Sequence, residues 1–448
     1  MRNLTSLFSS GLTKKASLIL ILTFTVMVVL DSTIVKFASY TGQQFQTSWN
    51  VQIFISFSVV FSIISILFVY MTGKTSESAY TLPINIKYLR RFFIFTQTIT
   101  LSIISIINLQ IIISSKYNIL FVRAETYLAY ISTFVFLIFL VFLFIGWFKS
   151  RRNYIIMLFT ISFSLLIVNL VISLIYLDSY FSNSIKQTIQ PYHITSFVTN
   201  FGGSFFHQQI AFMHDILSIL SFSFMWIATA ILLSHYRNKI GKIKYYILIS
   251  IPLIYYLFPF EGYFGSIFFS LILDYPITFA SIYILIFSAT KQIGALFFSI
   301  FFLLASNLVA KKVKQSVLFS AIGMVIIFGS LDIATLQYSV YPPFGLITTA
   351  FMPIGSYLLF IGILSSAQNI SRNIQIRKEL YKSANNQLDL LKVIGMAQME
   401  NELLKRYKSI SKFATIFEES DKLDQNEIKE IVHDIVAELL TTKRIRKS

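Results

Sequence analysis

The chain has 448 residues, 55% of them hydrophobic and 13% charged, with 46 phenylalanines and a mean hydropathy of +0.71. Soluble globular proteins carry roughly one-quarter charged residues, so a single large soluble domain is excluded. The absence of Cys removes disulfides, thiolate metal sites and cysteine nucleophiles together.

The formal charge of +17 admits nucleic acid as a partner only if it is concentrated on one surface. It is not. Residues 1–366 hold 22 Lys+Arg against 8 Asp+Glu, whereas 367–448 hold 15 against 12. The surplus therefore lies in the apolar part, where Lys and Arg accumulate in cytoplasmic loops. The lipid bilayer is the partner this pattern indicates, and nucleic acid is not.

A hydrocarbon core needs about 20 apolar residues per helical crossing. Runs of that kind occur near 16–35, 51–71, 92–113, 126–148, 154–177, 211–234, 243–260, 264–289, 294–310, 316–336 and 346–366. The first follows Lys14 and Lys15, and Ala38-Ser39 after it resembles a signal-peptide cleavage site. Its apolar stretch exceeds a signal h-region, so it reads as a retained span.

Loop charges set the orientation. Lys14 and Lys15, then Lys74 to Arg91, then Lys149 to Arg152, then Arg237 to Lys244 fall in alternate loops through six spans. The N-terminus is then cytoplasmic, and 178–210 is a long extracytoplasmic loop. Lys311, Lys312 and Lys314 form one more basic loop, although three full crossings after Lys244 would put it outside. The run 264–289 resolves the conflict if it re-enters rather than spans, since Asp274-Tyr275-Pro276 interrupts it and Pro removes a helix donor. The fold class expected is all-α: a polytopic bundle of ten spans plus a re-entrant hairpin, with eleven ordinary spans as the alternative. Its parts are five spans over 1–177, the loop 178–210, a block with broken helices over 211–366, and a cytoplasmic helical, coiled-coil-like tail over 367–448.

Under this topology seven of the eight acidic residues of the membrane part fall toward the outside: Asp31, Glu125, Asp178, Asp215, Glu261, Asp274 and Asp332. Asp274, Pro276, Asp332 and Asp215 are the candidates for a substrate or ion pathway, because ionisable groups within apolar runs are costly to retain and broken helices carry transporter sites. Asp31 reads as a helix-end anchor paired with Lys36. His207 and His214, seven residues apart, share a helical face; with Asp215 they make the metal candidate, and zinc or copper suits such ligands. Trp49 and Trp147 read as interfacial anchors and Trp226 as packing.

The tail reads as two helices. Met396, Met399, Leu403, Ile410, Phe413 and Phe417 follow a 3–4 spacing, which Arg406 interrupts, and Ile428 to Leu440 form an apolar stripe behind Asp424 and Glu427. Residues 385–440 thus offer a surface for a homodimer or a cytoplasmic protein partner. No P-loop, dinucleotide fingerprint or nucleophile elbow is present, so the chain does not read as an enzyme. Two functions fit: a sensor in the cell membrane that relays an extracytoplasmic signal through its last span to the tail, or a permease for a cation, proton or small solute built on the later block.

Overall fold

The structure, a computed structural model, describes residues 13–41, 48–77, 84–187, 205–234, 237, 241–260, 278–307, 309, 311–330, 341–373 and 389–414. Among them there is no strand. The helices are α1 (Lys14–Thr41), α2 (Ser48–Glu77), α3 (Ile84–Ser114), α4 (Ile119–Ser150), α5 (Tyr154–Gln187), α6 (Phe205–Ser234), α7 (Lys242–Ser250), α8 (Thr278–Ala305), α9 (Lys311–Ser330), α10 (Leu346–Ala350), α11 (Met352–Arg372) and α12 (Asp389–Ala414), with a 3-10 segment over Ile251–Phe260. Among the described residues nine helices are long and apolar enough to cross a membrane.

Local chemistry sets several boundaries. Asn118 accepts a hydrogen bond from the Leu120 amide (2.9 Å) at the start of α4, and Asn153 does the same for the Ile155 amide (2.8 Å) ahead of α5. Many hydroxyls inside the apolar helices are satisfied by their own backbone: Thr25 donates to the carbonyl of Ile21 and Thr160 to that of Ile156. Between helices, Ser162 and Ser221 each donate to the other's carbonyl (2.8 and 3.0 Å), so α5 and α6 meet closely through two small residues.

The contacts order the helices end to end. Lys14 Nζ donates to Asn307 Oδ1 (3.2 Å) and Ser32 to Ser288 (3.2 Å), so α1 and α8 run antiparallel. The turn after α8 therefore lies at the end of the bundle where α1 begins. Arg151, after α4, and Arg372, at the end of α11, meet the tail helix at that same end. We call it the basic end. The loop that leads into Lys311–Lys314 is thus level with Lys14, as the charge pattern required.

The segment over 242–260 runs antiparallel to α6. Tyr245 reaches the Ala230 carbonyl, Trp226 donates to the Ile249 carbonyl, and Tyr256 pairs with Ser223. Nine α-helical and ten 3-10 residues extend about 33 Å, close to the thickness of a hydrocarbon core. Pro252 and Pro259 lie in the 3-10 part, where each removes a donor from an α-helical ladder.

Helix boundaries differ from the sequence reading in one consequential place. α8 joins the second half of the run 264–289 to the run 294–310 in one uninterrupted helix. Residues 278–289 are therefore not part of a separate crossing. The tip expected at Asp274–Pro276 lies outside the described residues.

The core is organised around the last two long helices. The apolar windows of α9 and of the span Leu346–Arg372 are 89% and 94% buried, against 33–50% for α1 to α6. Those two are therefore central and the rest surround them. Gly323 and Gly362 make the approach of α9 and α11 feasible: a Cβ at Gly323 would lie 2.5 Å from the Leu359 amide nitrogen, and one at Gly362 would lie 2.6 Å from Ser320 Oγ. Aromatic rings from four further helices converge on the last span. Phe24 and Phe61 meet Phe351 edge-on, and Phe93 and Phe136 meet Tyr357, the first stacked at 4.0 Å. Packing also crosses the boundary between the two blocks read from sequence, because α1 lies chiefly against α8 and α9.

Candidate functional site

The last span is held at both ends by charged groups from elsewhere in the chain. At the far end, Gly345 adopts the left-handed conformation (φ +87°) that starts α10. Its amide donates to both carboxylate oxygens of Asp31 (2.8 and 3.0 Å), and Thr348 Oγ1 donates to Oδ2 (2.5 Å). Asp31 is buried. A buried carboxylate is tolerated only when hydrogen bonds replace its hydration, and here the first turn of the last span supplies them. Asp31 thus makes a long-range contact that the sequence reading did not contain; the side chain of Lys36, its expected local partner, lies outside the described residues.

At the basic end the tail helix α12 packs against the ends of α4 and α11. Glu400 is buried. It accepts from Arg151 Nε (2.9 Å) and Nη2 (2.6 Å) on one oxygen and from Ser150 Oγ (2.5 Å) on the other. Trp147 Nε1 donates to Gln398 Oε1 (3.1 Å), and Arg372 Nε reaches Glu402 (3.5 Å). Gly395 lies against Ile370 so closely that a Cβ there would overlap its side chain. Trp147, expected at the lipid interface, is therefore buried and engaged with the tail, whereas Trp49 is exposed and Trp226 donates to the Ile249 carbonyl near the end of α7.

The face of α12 that meets the bundle is Leu390, Leu391, Ile394 and Ala397. The expected heptad positions divide: Met396 is buried and Leu403 is more than one-third exposed. Side chains beyond 404, and the whole second tail helix, lie outside the described residues.

Glu125 forms a third site. It stands on α4 about one and a half turns from the far end, fully buried, and among the described residues neither carboxylate oxygen accepts a hydrogen bond of good geometry. Thr100 on α3 is the hydroxyl that faces it. Thr100 Oγ1 and Gln97 Nε2, one turn apart on α3, are likewise buried without partners, although the Gln97 carbonyl accepts from Ser65 (3.0 Å). Ser132, two turns from Glu125 on the same face of α4, is in the same condition.

The residues singled out by sequence fare differently. Asp274, Pro276 and Asp332 lie outside the described residues. Asp215 is partly exposed on α6, and its Oδ1 lies 3.3 Å from His214 Nδ1; His214 is buried with Nε2 unpartnered. His207 lies on the first turn of the same helix, but its side chain is outside the described residues. Among the described residues no three His, Asp or Glu side chains come together in a metal-ligating group.

Asp31, Glu125 and Arg151 were visible in sequence only as charges near span ends. The informative signal for the first two was position: the helices extend beyond the apolar runs, which enclose Asp31 and Glu125 within α1 and α4. Glu400 carried no such signal, since it stands in a polar tail.

Comparison with known proteins gives no match: no family model, no curated protein and no solved structure is significantly similar to the chain.

Proposed function

We propose that the protein is a multi-pass signal relay of the cell membrane, in which the span Leu346–Arg372 transmits the state of the extracytoplasmic end to the tail helix. One observation carries this reading: the same central helix is bound by Asp31 at its first turn and lies against α12 at its last. A helix this buried moves as a unit, because packed interiors transmit displacement instead of absorbing it. The rest of the tail, with its apolar stripe over 428–440, then engages a second copy or a cytoplasmic partner that provides the output.

The proposed topology has ten crossings, with 242–260 as an irregular one, both termini cytoplasmic and the segment before Thr278 re-entering from outside. It satisfies every basic loop, including Lys311–Lys314. The permease reading has one point in its favour, the buried Glu125, since unpaired intramembrane carboxylates commonly mark ion pathways. Uptake by proteoliposomes that survived deletion of 385–448 would favour it over the relay.

The chain has no Cys, so an introduced pair reports on the relay without background. A Cβ at Gly146 has nothing closer than Asn401 Nδ2 at 4.0 Å. Gly146→Cys with Asn401→Cys should cross-link through a short bifunctional reagent in membranes. Loosening the far end by Asp31→Asn should change the cross-linking rate several-fold. An unchanged rate, in protein that retains its fold, would overturn the relay.

A further inference from the structure

The buried polar group that the relay leaves unused is Glu125. Taking a carboxylate out of water costs several kcal/mol unless a cation or hydrogen bonds replace the hydration shell. Asp31 has that replacement, and among the described residues Glu125 does not. Among the described residues no Lys or Arg pairs with it, and Arg123, two residues earlier, is engaged with the Tyr127 ring at 5.5 Å. The buried atoms without a well-formed hydrogen bond here are oxygens: both of Glu125 and Thr100 Oγ1.

We infer that Glu125 and Thr100 form a binding site for a small monovalent cation between α3 and α4, with the carboxylate of Glu125 as its charged ligand. Hard oxygen donors of this kind suit Na+ or a proton, and they offer nothing to a soft metal. The site also has a place in the architecture. α10, the first turn of the last span, packs on α4, so the last span is gripped at this end by Asp31 and lies against the helix that carries Glu125. Occupancy of the site thus bears directly on the element that the relay uses, although binding itself does not depend on the relay being correct.

The charged surroundings are sparse. Among the described side chains of the elements packed on α4, the titratable groups away from the basic end are Arg123, Tyr127 and Tyr130 on α4 itself, Tyr176 on α5 and Tyr357 on the last span; Asp31 faces α10 from α1. The Lys and Arg side chains of α3, α11 and α12, and those at the end of α4, all stand at the basic end.

The test uses the full-length chain in detergent or nanodiscs and the hydrophobic reagent dicyclohexylcarbodiimide, which modifies buried carboxylic acids covalently and is mapped by peptide mass. Where Na+ is the occupant, labelling of Glu125 should fall about tenfold at about ten times its Kd; where the occupant is a proton, labelling should instead rise as pH falls, because the reagent attacks the protonated acid. Protection by Na+ at fixed pH, absent with K+ or N-methylglucamine, identifies a Na+ site; a thermal midpoint that rises with Na+ in wild type and not in Glu125→Gln corroborates it. Labelling that follows pH alone, identically in all three salts, identifies the proton. Failure to label Glu125 under any condition, or labelling indifferent to salt and pH alike, overturns the inference. Mapping on the wild-type chain decides this even if Glu125→Gln does not fold, and it is independent of the tail cross-link that tests the relay.

Discussion

Asp31 on α1 accepts hydrogen bonds from the amide of Gly345, 314 residues later in the chain, and from the hydroxyl of Thr348 in the next turn. The first helix therefore fixes where the last span begins. Asp31→Ala leaves two buried donors without an acceptor, and each such loss costs about 1–3 kcal/mol. Thermal unfolding in detergent, followed by tryptophan fluorescence, should show a large loss for Asp31→Ala, a smaller one for Thr348→Val and the smallest for Asp31→Asn, which keeps one acceptor oxygen. Equal stability of all three would show that the contact is incidental.

Gly345 is itself constrained, because its φ of +87° is a conformation that L side chains rarely adopt. Gly345→Ala should cost about 1–2 kcal/mol through strain alone. The same unfolding assay measures it, and a neutral result would mean that the turn relaxes.

The contact between α9 and α11 leaves no room for a side chain at Gly323, where a Cβ would meet backbone atoms of Gly355 and Leu359. Gly323→Ala should destabilise by about 1–3 kcal/mol, the usual cost of overpacking a core. Gly323→Leu should abolish the monodisperse peak in size-exclusion chromatography. Gly146 provides the contrast, since a Cβ there would meet nothing closer than Asn401 Nδ2 at 4.0 Å.

Arg151 and Glu400 join the tail to the bundle: two guanidinium nitrogens of the half-buried Arg151 donate to one oxygen of the buried Glu400. Arg151→Glu should weaken tail docking by about 1–3 kcal/mol, which is roughly 5- to 150-fold in the docking equilibrium. The exchange Arg151→Glu with Glu400→Arg should recover much of the loss. Cross-linking between introduced cysteines at 146 and 401 reads both, and absence of recovery would assign the effect to packing and not to the ion pair.

The contact of Lys14 with Asn307 makes a topological prediction. A single cysteine at Asn307 should react with a membrane-impermeant maleimide from the same side as a cysteine placed ahead of α1. Reaction from opposite sides would refute the ten-crossing arrangement and with it the assignment of Lys311–Lys314 to the cytoplasm.

Much of the architecture was legible because membrane folding imposes strong local rules. Apolar run length located the helices, and the spacing of Lys and Arg located the basic end, since both follow from the cost of placing charge in hydrocarbon. The misfit at Lys311 drew attention to the run 264–289, and there the described helix differs from the run boundaries: residues 278–289 belong to α8.

The sites were not legible to the same degree. Asp31 and Glu125 look alike in sequence, each an acid near the end of an apolar run. Only the tertiary contacts distinguish them: Asp31 meets the first turn of the last span and is fully bonded, whereas Glu125 faces Thr100 and is not. Trp147 likewise carries the signature of an interfacial anchor, yet it serves the tail. Composition and periodicity report how each helix relates to its solvent, so they determined the class of the protein, its helices and the sign of each end. The partner that satisfies a buried polar group lies hundreds of residues away, on a face chosen by packing, and the tertiary structure alone decided which charges are paired and, among the described residues, which carboxylate is not.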